Sequence, residues 1–126
     1  MSALTYTPVV NAGKPLVWLS GNVKTPPFSM GARVEAGWLL RRVQQGEWLG
    51  MPYSRPMGEV GPNCHELRVP DRGQTWRIMY AVHPDAIVIL GVFSKKTRKT
   101  PGAVIDACRT RLERYLRDAR GKHEGS

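Results

Sequence analysis

Apolar positions along this chain change their period several times, and each change marks an element. "LVWLS", residues 16–20, is short and rich in β-formers, and it predicts a first strand. "KTPPFS", residues 24–29, excludes regular structure, because two consecutive prolines push the residues before them into extended conformations. From Ser29 to Gln45 the spacing becomes helical. Ala32, Ala36, Leu39, Leu40 and Val43 share one face, and Arg33, Arg41 and Gln45 lie opposite. Ser29 suits the N-cap and Gly46 the residue just past the end. Trp38 stands at the margin of the apolar stripe. Gly31 and Gly37 each weaken the helix by up to about 1 kcal/mol, and Gly37 is a candidate for a close helix contact. Residues 50–63, "GMPYSRPMGEVGPN", hold three prolines and three glycines and read as a long irregular connection, with Arg55 in its middle.

The second half alternates differently. "HELRV" (65–69), "QTWRIMYAV" (74–82) and "AIVILGVF" (86–93) are short β-patterned runs separated by the turn signals "PDRG" and "HPD", which predicts an antiparallel meander. The last run is apolar at nearly every position, so its strand is expected at the centre of the sheet, covered on both faces or paired on both sides. A helix follows, with Thr100 as N-cap and Pro101 at its first position. Ile105, Cys108, Leu112, Tyr115 and Leu116 make its apolar stripe. The order of elements gives an α+β class: a three-strand meander plus an N-terminal strand, packed against helices, with a closing C-terminal helix. Residues 1–126 are expected to form a single domain, with 1–13 and 119–126 as loose ends.

Strand parity then sorts the charged residues. Trp76, Ile78 and Tyr80 face one side of the sheet, and Arg77, Met79 and Ala81 face the other. In the preceding strand His65, Leu67 and Val69 share a side, with Glu66 and Arg68 opposite. If Leu67, Trp76 and Ile78 face the helices, Arg68 and Arg77 project together from a solvated free face. The hairpin through "HPD" brings the end of the last strand beside the start of the one before it. Lys95 and Lys96 then approach Gln74, Thr75 and Trp76, with Arg77 just inside. The stretch "VFSKKTRKTP" thus reads as a buried strand that emerges into a basic edge suited to phosphate. Thr97 and Thr100 add hydroxyl contacts, and Arg98 and Lys99 lie further into the loop.

Charge supports that reading. Lys and Arg outnumber Asp and Glu by 19 to 10, giving a formal charge of +9 and a pI near 10.2, a balance that favours polyanionic partners. No apolar run is long enough to span a bilayer, and no signal peptide is legible, so a cytoplasmic protein without a membrane partner is expected. Cys64 and Cys108 lack metal-ligand spacing and fit reduced core thiols; no metal and no cofactor are expected.

The ordered set "CHELRVPDRGQTWRIMYAV", "AIVILGVFSKKTRKTP" and "VIDACRTRLERYL" resembles the RelE/ParE toxin superfamily, most closely its HigB-like, phage-derived branch. The N-terminal half, including "SRPM", is similar to that branch as well. The resemblance implies a compact RelE-like α+β fold. It implies the toxin of a two-gene toxin–antitoxin module, acting as a ribosome-dependent, metal-independent mRNA endonuclease (an mRNA interferase). Carried over, Arg77 contacts the scissile phosphate, Lys95 and Lys96 supply a phosphate clamp and an acid or base, and Arg68 is a second clamp. Arg55, Thr97, Arg98 and Lys99 are RNA-binding candidates. His65 is a candidate acid or base, although its parity with Leu67 favours the core. The chain lacks the C-terminal aromatic or histidine motif that some relatives use for proton transfer. The implied partners are mRNA on the ribosome and a cognate antitoxin bearing a helix-turn-helix domain. Two other readings stay open: a non-enzymatic, ParE-like inhibitor of DNA gyrase, and a catalytically inactive basic RNA-binding module.

Overall fold

The computed structural model describes residues 13–19, 28–95 and 100–125. Its elements are β1 (Leu16–Trp18), α1 (Met30–Gln44), β2 (Ser54–Pro56), β3 (Cys64–Asp71), β4 (Gln74–Val82), β5 (Ile87–Lys95) and α2 (Gly102–Gly125). The strands form one sheet in the order β1-β5-β4-β3-β2. Strands β2 to β5 are antiparallel to their neighbours, and β1 joins β5 in parallel. The α+β class, the meander and the interior place of β5, paired on both sides, follow the sequence pattern.

Four features differ from the expectation. The connection at 50–63 contributes a fifth strand, β2, whose Ser54, Arg55 and Pro56 pair with Leu67, Glu66 and His65. The N-terminal strand enters parallel, so the sheet is mixed. The closing helix runs to Gly125, past the expected loose end at 119. Neither side of the sheet is wholly free among the described residues: α1 packs on one, and α2 packs on β4 and β5 on the other.

Two cores result. On the α1 side Ala36, Leu39, Leu40 and Val43 pack on Leu67, Ile78, Tyr80, Ile87 and Ile89. On the α2 side Cys108 and Leu112 pack on Met79, Ala81, Val88 and Leu90, with Met57 and Val60 closing the edge. Strand β5 serves both cores, which is why nearly all its residues are apolar. A register shift at Met79/Tyr80 lets consecutive residues Leu90 and Gly91 both turn toward α2. A Cβ on Gly91 would lie 3.1 Å from Cys108 Sγ and 3.2 Å from Arg111 Nη1, so only glycine lets α2 sit this close.

Local chemistry fixes the joints. Ser29 caps α1, its hydroxyl accepting from the Ala32 N–H at 3.1 Å. Asp71 Oδ2 accepts from the Ser29 N–H at 3.0 Å and from the Trp76 indole at 2.9 Å, and Phe28 stacks on Trp76 with ring centroids 4.6 Å apart. These bonds hold the Asp71 carboxyl below the usual range, the Ser29 backbone N–H contributing most. Arg72 (φ 45°) and Gly73 (φ 82°) make the tight β3–β4 turn, both in the left-handed region that such hairpins require. At the start of α2 the arrangement departs from prediction. The Pro101 carbonyl accepts the first helical bonds, from Val104 and Ile105, while the Thr100 hydroxyl is drawn elsewhere.

Candidate functional site

That hydroxyl goes to Glu66. Glu66 lies in the middle of β3, is fully buried, and points to the α2 side of the sheet. Its Oε1 accepts from Arg77 Nη1 at 2.8 Å and from Arg55 Nε at 3.0 Å. Its Oε2 accepts from Thr100 Oγ1 at 2.7 Å, and the same hydroxyl accepts from Arg55 Nη2 at 3.3 Å. One carboxylate thereby joins β2, β3, β4 and the residue ahead of α2. A carboxylate can be buried at such a position only when its lone pairs are filled by charged donors, and here they are. The cluster holds two guanidinium groups against one carboxylate and so keeps a net positive charge.

The structure places each predicted residue relative to this cluster. Arg77 is on the expected face but is not exposed there. Its side chain is 2% accessible and bound to Glu66, so the expectation that it projects into solvent is corrected. It is held there by Glu66, the fully buried carboxylate of the neighbouring strand β3. Arg68 pairs directly across from Arg77 and is half-buried. Arg55 joins the cluster from the side, with 34% of its side chain accessible. Lys95 pairs with Thr75 and Phe93 with Arg77, which gives the predicted approach of the strand end to Arg77. The side chain of Lys95, and Lys96, Thr97, Arg98 and Lys99 entirely, lie outside the described residues. Those residues join Lys95, at the end of β5, to Thr100, whose hydroxyl is fixed on Glu66.

His65 does not join them. It faces the α1 side, across the sheet from Arg77, where it is buried between Tyr80 (ring centroids 5.4 Å) and Trp48 (5.1 Å). Desolvation lowers its pKa, and its Nε2 has no hydrogen-bond partner among the described residues. Tyr80 shares that side and shares a 2.9 Å hydrogen bond with Ser54 Oγ; burial pushes its pKa up. Both are core residues, as their parity suggested. Cys64 and Cys108 are buried thiols of the α2-side core, and burial pushes Cys64 up to about 11. No group of three or more His, Cys, Asp or Glu among the described residues could hold a metal ion, and no described helix is long and apolar enough to cross a membrane.

Glu66 is the residue that sequence reasoning passed over. Its signal was present: a carboxylate in mid-strand, on the same parity as Arg68 and, across the hairpin, Arg77. An acid placed among strand arginines is more economically a buried partner than a surface charge.

A five-strand mixed sheet with two helices, one of them C-terminal, is compatible with a compact RelE-like domain. Residues 27–113, more than half of the chain, match the family described as Phage derived protein Gp49-like (DUF891). The chain belongs to that phage-derived family, a family of RelE-like toxins. Membership is consistent with the toxin of a toxin–antitoxin pair. No curated protein and no solved structure matches the chain.

Proposed function

We propose that the chain is a HigB-like toxin that cleaves mRNA on the ribosome without a metal, and that a helix-turn-helix antitoxin holds it inactive. The observation that carries this reading is the convergence of Arg55, Arg68 and Arg77 with the end of β5 on one face of the sheet. In such a cleavage the 2′-oxygen attacks phosphorus, its proton goes to a base, and the 5′-oxygen leaves with a proton from an acid. Cations stabilise the charge that builds on the phosphate oxygens. Arg55 and Arg68, both partly exposed, are the phosphate contacts, with Lys95, Lys96, Arg98 and Lys99 extending the clamp. Arg77, buried on Glu66, is a positioning residue: it fixes the carboxylate that orients Arg55 and Thr100. Because His65 and Tyr80 lie across the sheet, proton transfer falls to a lysine of the strand end. Its pKa must be depressed by neighbouring cations.

The same observation about His65 and Tyr80 favours a second reading, a toxin that inhibits its target by binding alone, DNA gyrase being the candidate target. The deciding experiment is expression of the chain alone, with mRNA 5′ ends mapped in the arrested cells and gyrase supercoiling assayed with purified protein. New mRNA ends with unaffected gyrase are expected, and Lys95→Ala and Arg55→Ala should both relieve the arrest. Intact mRNA with lost supercoiling would establish the second reading instead.

A further inference from the structure

Helix α1 buries one face and leaves an apolar stripe on the other. Ala36 and Leu39 are at 0% and 1% accessibility, whereas Met30, Val34 and Trp38 are at 73%, 65% and 59%. These three stand at i, i+4 and i+8, so they form one continuous line about 12 Å long rather than scattered surface residues. Gly31 and Gly37 flank the line. A Cβ on either would meet nothing within 4 Å, so neither glycine serves packing among the described residues. Each nevertheless weakens the helix relative to alanine. Glycines beside an exposed apolar line let another helix approach at the short end of the 8–10 Å range of interaxial distances.

We propose that this outer face of α1 docks an acidic amphipathic helix of a partner chain. Charge selects that occupant. Helix α1 carries Arg33, Arg41 and Arg42 against the single acid Glu35; Arg42 is paired with Glu47 at 3.0 Å and Arg33 donates to the Phe28 carbonyl, so the exposed Arg41, nearly in line with the stripe, is the cation that most directly meets an acidic partner. A second copy of a chain with net charge +9 would bring like charges together, whereas glutamates flanking an apolar face complement them. The site lies on the α1 side of the sheet, and Glu66, Arg77 and Arg55 meet on the α2 side. The partner's anchor and the cation cluster are therefore separate, and both can be occupied at once. The toxin reading supplies the reason for an inhibitory partner, and the docking itself is read without ribosome or gyrase.

The test uses the full chain and two fluorescent probes: a helical peptide of about 20 residues with leucines at i, i+4 and i+8 and glutamates on both flanks, and a single-stranded RNA oligonucleotide. Micromolar peptide binding is expected. Val34→Glu, at an exposed position, weakens it at least tenfold. The Gly31→Ala/Gly37→Ala double variant weakens it severalfold while raising the melting temperature, opposite shifts that simple destabilisation does not produce. Saturating RNA leaves the peptide bound. Absence of peptide binding overturns the proposal. So does binding that these variants do not change or that RNA displaces, since the peptide is then only a polyanion on the basic edge. Self-association abolished by Val34→Glu in sedimentation velocity also overturns it, in favour of a second copy. Loss of RNA binding with peptide docking intact sinks the RNA reading and leaves this one standing.

Discussion

Glu66→Gln removes one charge and changes no volume, so it isolates what the buried carboxylate does. In the wild type Glu66 faces Arg77 at 2.8 Å, with 0% and 2% of the two side chains accessible. The glutamine oxygen can still accept from Arg77. Its amide group must then donate where Oε2 accepted, which reverses the Thr100 bond and turns two hydrogens toward the Arg55 side. Arg77 is left as a buried cation without its counter-charge. Leaving one partner of a buried pair uncompensated costs about 3–5 kcal/mol, and the retained acceptor puts this variant near 3. A domain of this length has a total stability of about 6–19 kcal/mol, so the loss is a large fraction of it. Arg77→Met, by contrast, leaves Glu66 still paired with Arg55 and Thr100 and fills the space with apolar atoms. It should cost about 1–2 kcal/mol. The assay is equilibrium denaturation in guanidinium chloride at pH 7, followed by circular dichroism, with m-values checked for constancy. The expected order is Glu66→Gln, then Arg77→Met, then wild type. A Glu66→Gln variant within about 0.5 kcal/mol of wild type, the range of ordinary surface substitutions, would refute the claim that this carboxylate ties the sheet together.

Two further outcomes follow from named contacts. Burial lowers the folded-state pKa of His65, so below pH about 6.5 the unfolded chain takes up a proton that the folded chain refuses. Stability therefore falls as pH drops through that value. Melting temperatures measured from pH 8 to 5 should decline less for His65→Phe than for wild type; parallel declines would rule His65 out as the cause. Gly91→Ala places a methyl 3.1 Å from Cys108 Sγ and should cost about 1–3 kcal/mol. Gly61→Ala, whose Cβ meets the flexible end of Leu112 at 2.9 Å, should cost less in the same denaturation series.

Most of the fold was legible because local signals agreed. The face of α1, its Ser29 cap, the turn at Arg72 and Gly73, and the meander each announce themselves within a few residues. What sequence could not give was set by distant contacts. β2 has three residues, one of them Pro56, and exists only because Cys64–Asp71 offers an edge to pair with. Thr100 reads as an N-cap until Glu66, 34 positions away, competes for its hydroxyl. The site was half legible for the same reason. Parity put Arg68 and Arg77 on one face and His65 on the other. Whether that face was open depended on where residues 50–63 and the last helix packed, which no period in the chain encodes.

The burial of Arg77 changes what its mutation can mean. A phosphate reaching Arg77 would have to displace Glu66, and the freed carboxylate would then stand beside an incoming anion in a poorly solvated place. Both costs argue against direct contact. The more economical arrangement keeps the pair intact. Glu66 then neutralises one of its two arginines, holds Arg55 at the partly open margin, and anchors Thr100, the residue that ends the run begun at Lys95. Loss of activity in Arg77→Ala would then arise from a displaced carboxylate and a slackened strand end, not from a missing phosphate contact. Thr100→Val separates the two. It removes no cation and leaves Arg77 on Glu66, yet it releases the anchor. Under the positioning account it lowers toxicity as Arg77→Ala does. If Arg77 itself bound phosphate, Thr100→Val would leave growth arrest near its wild-type level.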